Sequence, residues 1–275
     1  MFFRLLHSIL AVQLIQLASS LGNTMSQTGI IDSSSNIFDK LDNPKKYRGY
    51  SFQEVAKTID HSILKPDFTY NDVKEGAELA LKYNTASYCI RPIDVRLASK
   101  LLTGTDINIC TVIGFPHGST TTAVKVFESI DAIKNGATEL DMVINIAALL
   151  SKDYDLVEAD IKAVVSAAKN ENPKVTVKVI FETAFLNDEL IIKACQLSES
   201  AGADYVKTST GFASKGATLH NVELMKRTVG DRLKVKSSGG VKTLDQLIDY
   251  MDAGVTRSGS SSTEAILEEF NLKAE

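Results

Sequence analysis

From residue 51 onward, short apolar runs rich in β-branched residues alternate with longer stretches whose apolar positions recur every three or four residues. The runs fall at 58–61, 86–90, 109–113, 138–143, 175–181, 203–207, 233–236 and 255–258. Between them lie helical patterns such as 121–134, 154–169 and 188–200. A short continuous apolar run predicts a strand covered on both faces, and a period near 3.6 predicts a helix packed on one. Three of the helices finish alike, at Asn135-Gly136-Ala137, Ala201-Gly202-Ala203 and Ala253-Gly254-Val255. Glycine adopts the left-handed conformation past a helix end without steric cost, and a strand starts at once. Alternating strands and helices predict right-handed βαβ units in a parallel sheet. Eight such units give an α/β fold, a (β/α)8 TIM barrel forming a single domain over residues 51–275. A doubly wound open sheet is the competing arrangement. No G-x-G-x-x-G follows the first strand, which weighs against it.

Residues 1–50 do not share the repeat and read as a non-barrel N-terminal extension. Residues 1–22 place Arg4 before an apolar run from Leu5 to Ala18, followed by Ser19 and Ser20. That is the grammar of a secretory signal peptide, and the lack of acidic residues before Asp32 also permits an organelle-targeting segment. Residues 23–50, with Ser33 to Ser35 and the Lys45-Lys46 pair, read as a polar tether. Further along, no Asn-x-Ser/Thr acceptor occurs and the cysteines sit in apolar contexts, so nothing there supports secretion. The expected location is cytoplasmic, with secretion or organelle targeting through residues 1–22 as the alternative. No later segment is apolar for long enough to span a membrane.

Composition narrows the chemistry. Thirty Lys plus Arg against 34 Asp plus Glu leave a net charge of −4, which argues against a nucleic-acid or polybasic membrane binder. Three Cys without a C-x-x-C exclude a disulfide scaffold, and four His without H-x-H or H-E-x-x-H exclude a His-rich metal site. Neither a metal nor a cofactor is expected. A homodimer is among the assemblies left open.

A barrel places its catalytic groups at the C-terminal ends of its strands. In order, those ends are Asp60, Cys89, Gly114, Asp141, Glu182, Lys207, Lys236 and Gly259. Lys207 and Lys236 end neighbouring strands in apolar surroundings. A Lys so placed is either salt-bridged to a carboxylate or an amine nucleophile for a carbonyl substrate. As a nucleophile it must be partly neutral near pH 7, against a reference pKa of roughly 10.4, and burial with a second cation nearby favours that. Asp141, inside an apolar strand, either neutralises the lysines or shuttles protons, and the two roles are compatible. Lys178 precedes its strand end by several residues and reads as structural. Ser238-Gly239-Gly240 after the seventh strand and Gly259-Ser260-Ser261-Ser262 after the eighth stand where barrels bind phosphate with backbone N–H groups; Gly211 adds one more. Thr120 to Thr122 read as a helix N-cap. His61 and Cys89 read as packing, and Cys89 shows no thiol-activating neighbours in sequence.

Five long motifs carry a family resemblance: Ile59-Asp60-His61-Ser62-Ile63-Leu64-Lys65-Pro66, Cys110 to Pro116, Glu139 to Asn145, Val206 to Phe212, and Val235 to Gly240. From about Thr58 to the end the chain resembles the deoxyribose-phosphate aldolases, which are class I aldolases on a TIM barrel. The resemblance implies reversible cleavage of 2-deoxy-D-ribose 5-phosphate to D-glyceraldehyde 3-phosphate and acetaldehyde through a Schiff base, without metal. It implies Lys207 as the Schiff-base lysine, Lys236 as the second lysine and Asp141 as the proton relay. It further implies that Gly211, Gly239, Gly240, Ser261 and Ser262 hold the phosphate of a small phosphosugar, with Asp60 and Cys89 near the sugar. The alternatives are another lysine-dependent phosphosugar aldolase and a non-catalytic sugar-phosphate binding barrel.

Overall fold

The computed structural model describes residues 45–275. The signal-like segment and nearly all of the expected tether therefore lie outside the described residues. The compact unit starts at Lys46, ahead of the boundary expected at residue 51. Strands β1 (Lys46–Tyr47) and β2 (Tyr50–Ser51) form a hairpin across Arg48 and Gly49. Lys46 exchanges backbone hydrogen bonds with Glu275 at 2.9 and 3.1 Å. The Tyr47 hydroxyl donates to Asp245, and the Arg48 guanidinium reaches Asp249 and Asp252, each at 2.7 Å. These partners lie some two hundred positions away in sequence, so a local reading of this polar stretch sees only a tether.

Eight parallel strands then close a barrel in the order β10-β3-β4-β5-β6-β7-β8-β9. They are β3 (Ile59–Ile63), β4 (Ser87–Ile90), β5 (Asn108–Ile113), β6 (Glu139–Val143), β7 (Thr176–Ile180), β8 (Tyr205–Lys207), β9 (Lys234–Ser238) and β10 (Val255–Ser260). Each overlaps its expected run. Around them stand α1 (Phe52–Ala56), α2 (Tyr70–Tyr83), α3 (Val95–Leu101), α4 (Thr122–Lys134), α5 (Ile146–Leu150), α6 (Tyr154–Glu171), α7 (Asp188–Ser200), α8 (Leu219–Val229), α9 (Leu244–Asp252) and α10 (Thr263–Lys273). The apolar core fills the layer between strands and helices, with Val177, Val179, Val206 and Val235 on the strands meeting Ile161, Val164, Ala194 and Val222 on the helices. Thr121 does stand at the N-cap of α4, but its side chain makes no capping bond; Thr122 instead donates to Asp160 at 2.8 Å.

Register positions the interior. Asp141 pairs with Lys178 across β6 and β7, Ile180 with Lys207 across β7 and β8, and Lys207 with Lys236 across β8 and β9. Since side chains alternate faces, Lys178 enters the barrel one layer beneath Lys207.

Candidate active site

The inward residues of six strands form one buried ion network. Asp141 Oδ2 accepts from Lys207 Nζ at 2.7 Å and from Lys236 Nζ at 2.6 Å, while Oδ1 accepts from Lys178 Nζ at 2.9 Å and from the Cys110 thiol at 3.2 Å. Asp60 meets Lys236 through one oxygen and Arg257 through the other, at 2.5 Å for the latter. Glu139 receives Lys178 at 2.5 Å and Arg257 at 2.7 Å. Asp60, Asp141, Lys178 and Lys236 are wholly inaccessible to solvent, and Lys207 is 2% exposed.

Burial on its own penalises every one of these charges. It would raise the Asp141 carboxyl, but Lys178, Lys207 and Lys236 outweigh it and hold that carboxyl well below the usual range. At Asp60 burial is likewise overcome by Lys236, Lys178 and Arg257. Burial would lower Lys236, yet Asp141 and Asp60 keep it a firmly held cation, and Asp141 and Glu139 do the same for Lys178. Four cations therefore face three carboxylates. Lys178 lies against three of those carboxylates, Lys236 and Arg257 against two each, and Lys207 against one. Among these four cations Lys207 is the one with the fewest carboxylate partners.

Above this network opens a cavity of about 440 Å³ lined by Gly211, Gly239, Gly240, Ser261 and Ser262. All five residues expected to hold phosphate thus share one concavity, beside the start of α10. Gly239 and Gly240 both have positive φ, 83° and 79°. A Cβ on Gly239 would lie 2.9 Å from the Cα of Gly216, whereas at Gly240 it would point into open space. Only glycine allows the first turn, and the second leaves the cavity clear. Lys65 and Lys242 also line it and carry the positive charge an anion needs.

Asp60 and Cys89 do not line this cavity. Asp60 belongs to the network beneath it. Cys89 is fully buried in a small cluster with Cys110 and Val112, under Leu64 and Phe115. Its surroundings are more activating than the sequence suggests. The neighbouring Cys110 side chain pulls the Cys89 thiol below its ordinary value against the effect of burial, helped by Lys236 and Lys207. Burial pushes the Cys110 thiol up instead. Cys89, Cys110 and Asp141 each bring one ligand atom within 4.8 Å of the others. The Asp141 oxygens are engaged by three ammonium groups, which an incoming metal cation would have to displace. His61 packs as expected: its ring stacks on Tyr88, Nδ1 meets the Thr263 hydroxyl at 2.8 Å, and burial lowers it to about 4.

Glu139, Arg257, Lys65, Lys242 and Thr210 are the residues that strand-end reasoning passed over. Glu139 had a signal, since a carboxylate two residues before Asp141 faces the same way. Arg257 had one as well, standing inside the last apolar run.

The profile of the DeoC/LacD family aldolases matches residues 54–263. The chain is 51% identical over 218 residues to the deoxyribose-phosphate aldolase of Carboxydothermus hydrogenoformans, covering 79% of this chain and 96% of that one. It is 54% identical over 213 residues to the same enzyme of Staphylococcus epidermidis, covering 78% and 95%. Among solved structures, an aldolase called QR15 is 41% identical with a TM-score of 0.75 over 80% of this chain and 96% of that one. The deoxyribose phosphate aldolase of Aeropyrum pernix, described as a tetramer, is 32% identical with a TM-score of 0.75, over 80% and 92%. With the matched segment spanning all eight barrel strands, this chain belongs to the DeoC/LacD family of aldolases.

Proposed function

We propose that the protein is a deoxyribose-phosphate aldolase, a class I enzyme in which Lys207 forms a Schiff base with the open-chain aldehyde of 2-deoxy-D-ribose 5-phosphate. The observation that carries this reading is the position of Lys207: a buried amine with a single carboxylate partner, under a glycine- and serine-lined anion cavity. The Lys207 nitrogen bonds to C1, and the carbonyl oxygen leaves as water. Asp141, 2.7 Å away, accepts and returns the protons of the carbinolamine step. Lys236 shares the same Asp141 oxygen and remains charged, so it holds that carboxylate in place and keeps a positive field on the reacting nitrogen. The iminium then draws the electrons of the C2–C3 bond, which breaks as the C3 hydroxyl loses its proton. Glyceraldehyde 3-phosphate departs, the enamine is protonated at C2, and hydrolysis frees acetaldehyde. The phosphate cavity contributes orientation, since binding far from the reacting carbon is used to fix that carbon in place.

The catalytic field differs from the simplest expectation in one respect. Lys236 does not act on Lys207 as a free second cation. It is already paired with Asp60 and Asp141, and its effect is exerted through the shared carboxylate. Asp60 belongs with this support, as the group that holds Lys236 and Arg257.

Borohydride reduction in the presence of deoxyribose 5-phosphate, followed by peptide mapping, tests the reading. The adduct is expected on Lys207 and acetaldehyde among the products. An adduct on Lys236 or Lys178 with Lys207 unmodified overturns the assignment; no adduct and no acetaldehyde overturn the function. Among the described residues no helix is long and apolar enough to cross a membrane. The proposed site of action is the cytoplasm, checked by the distribution of a full-length C-terminal fluorescent fusion.

A further inference from the structure

The barrel mouth holds a second cavity, of about 360 Å³, across the Thr210–Phe212 turn from the phosphate cavity. Thr210 and Phe212 line both, so this turn is the wall between them. The Phe212 ring is held edge-on to Phe115, 5.2 Å between centroids. On the second side the lining is mostly apolar, with Ile146, Ala147, Leu150 and Phe185, and its basic side chain is His117 rather than a Lys or Arg.

Glu182 lines this cavity and is 2% exposed. Its Oε2 accepts from the Thr210 hydroxyl and from the Thr210 N–H, the latter at 3.3 Å. Its Oε1 is buried and has no hydrogen-bond partner. Leaving a buried polar atom unsatisfied is unfavourable, so the position points to a partner that the folded chain does not supply. The backbone agrees, because Glu182 sits in the left-handed region at φ 57° and ψ 65°. Non-glycine residues held there concentrate at functional sites. Glu182 follows Ile180, the register partner of Lys207, by two residues. It lies just past the end of that strand, between Phe181 and Thr183, whose backbone N–H groups donate to the carbonyls of Lys207 and Thr208, each at 3.0 Å.

We propose that this second cavity is a subsite for the unphosphorylated aldehyde of the reaction, with Glu182 Oε1 binding its carbonyl oxygen and the apolar wall taking its carbon chain. The inference rests on the aldolase reading above and deepens it. The two fragments joined by the reaction differ as the two cavities do. One fragment is an anion, matched by Gly239, Gly240, Lys65 and Lys242. The other is small and neutral, matched by a mostly apolar pocket whose polar lining is Glu182, Thr210 and His117. Burial raises the Glu182 carboxyl, with the Thr210 bonds opposing it. In its neutral form Oε1 carries the proton and donates to a carbonyl oxygen. That polarises the carbonyl toward Lys207. Nζ then bonds the carbonyl carbon, the oxygen departs as water with the two amine hydrogens, and a proton added to the imine nitrogen gives the iminium.

Kinetics in the synthetic direction test the subsite, with acetaldehyde and glyceraldehyde 3-phosphate varied separately. Ala147→Phe fills the cavity and is expected to raise the KM for acetaldehyde about tenfold. Glu182→Met, which removes both carboxyl oxygens, is expected to raise it about fivefold, the size of one lost hydrogen bond, and Glu182→Gln to recover most of that. In all three the KM for glyceraldehyde 3-phosphate should stay within about twofold of the parent. Parallel rises in both KM values, no rise in either, or no recovery with Gln would overturn the proposal. If Ala147→Phe fails to fold by circular dichroism, Ala147→Val gives a graded version of the same test with the same two outcomes. Borohydride trapping of deoxyribose 5-phosphate on Lys207 of the unaltered enzyme keeps the questions apart: its failure rejects the aldolase reading, whereas trapping with unchanged acetaldehyde KM in the variants rejects only the subsite.

Discussion

Lys178 and Lys207 reach the same carboxylate from adjoining strands, Lys178 at 2.9 Å from Asp141 Oδ1 and Lys207 at 2.7 Å from Oδ2. One layer of depth separates them. Lys178 lies on the barrel floor with Glu139, Asp141 and Asp60 around it, so its charge is fully answered inside the protein. Lys207 lies under the mouth with one carboxylate and two cavities above it. On the proposed reading, a buried lysine is a counterion or a nucleophile according to how many carboxylates surround it and whether a substrate can approach, and residue type alone does not decide.

The comparison is broken or sharpened most strongly by the matched pair Lys207→Met and Lys178→Met. Lys207→Met should lower kcat by about 10⁴-fold or more, as removal of a covalent nucleophile does, while the enzyme still melts cooperatively. Lys178→Met should act through stability. It leaves Glu139 and Asp141 short of a cation in a dry interior, at a cost of about 3–5 kcal/mol. Chemical denaturation beside an activity assay separates the two. Equal stability losses would mean that floor and mouth are not distinct regions.

Next in size is Gly240→Val. Its side chain would enter the open cavity proposed to take the phosphate and strain a positive-φ position. The KM for deoxyribose 5-phosphate should rise about tenfold or more, whereas use of unphosphorylated deoxyribose should change little. Equal losses on both sugars would remove the phosphate assignment.

A smaller effect should appear in stability against pH. His61 titrates at about 4 in the folded protein, against 6.5 for a free histidine, because burial disfavours its charged form. Below pH 6.5 the unfolded chain binds the proton that the folded chain refuses. The stability is therefore complete above 6.5 and is lost as pH falls toward 4, at about 1.4 kcal/mol per pH unit. Asp141 and Asp60, held low, lose stability in the same direction but below the usual carboxylate range. Glu182, raised by burial, works in the opposite sense. Melting of His61→Gln beside the parent at pH 7 and pH 5.5 cancels those shared terms, and the variant should show the shallower decline.

The smallest expected effect concerns the start of the folded unit. A chain beginning at Lys45 should match the parent in activity. One beginning at Phe52 loses the contacts of Tyr47 and Arg48 with α9, which are exposed pairs screened by solvent, so its denaturation midpoint should fall only modestly. Loss of activity in the longer chain would place residues 1–44 among the structural ones.

The barrel was legible in sequence because its evidence is local. Runs such as Val175 to Phe181 and glycines such as Gly136, Gly202 and Gly254 mark strands and helix ends without reference to anything distant. Lys207, Lys236 and Asp141 were legible as charged residues within apolar strands, although only Lys207 stands at its strand's last position. The β1–β2 hairpin was not, because its stability comes from acids on α9 far along the chain. The depth of Asp60 and Cys89 was hidden for a related reason. A strand's C-terminal end is a position along one chain, whereas the level of the barrel mouth is set by the stagger of eight strands and the loops above them. Arg257 escaped because its partners, Asp60 and Glu139, enter from strands built long before it.

That late partnership has a consequence for how the protein is made. β10, which carries Arg257, is the last of the eight barrel strands to leave the ribosome. Until it arrives, Glu139 lacks its two-pronged guanidinium, Asp60 lacks its oxygen-for-nitrogen contact at 2.5 Å, and β3 and β9 remain open edges. A single stretch of six residues supplies both missing edges and the missing charge. The barrel's seam and its ion network are thus completed together, by one strand, and a chain halted before residue 257 has neither.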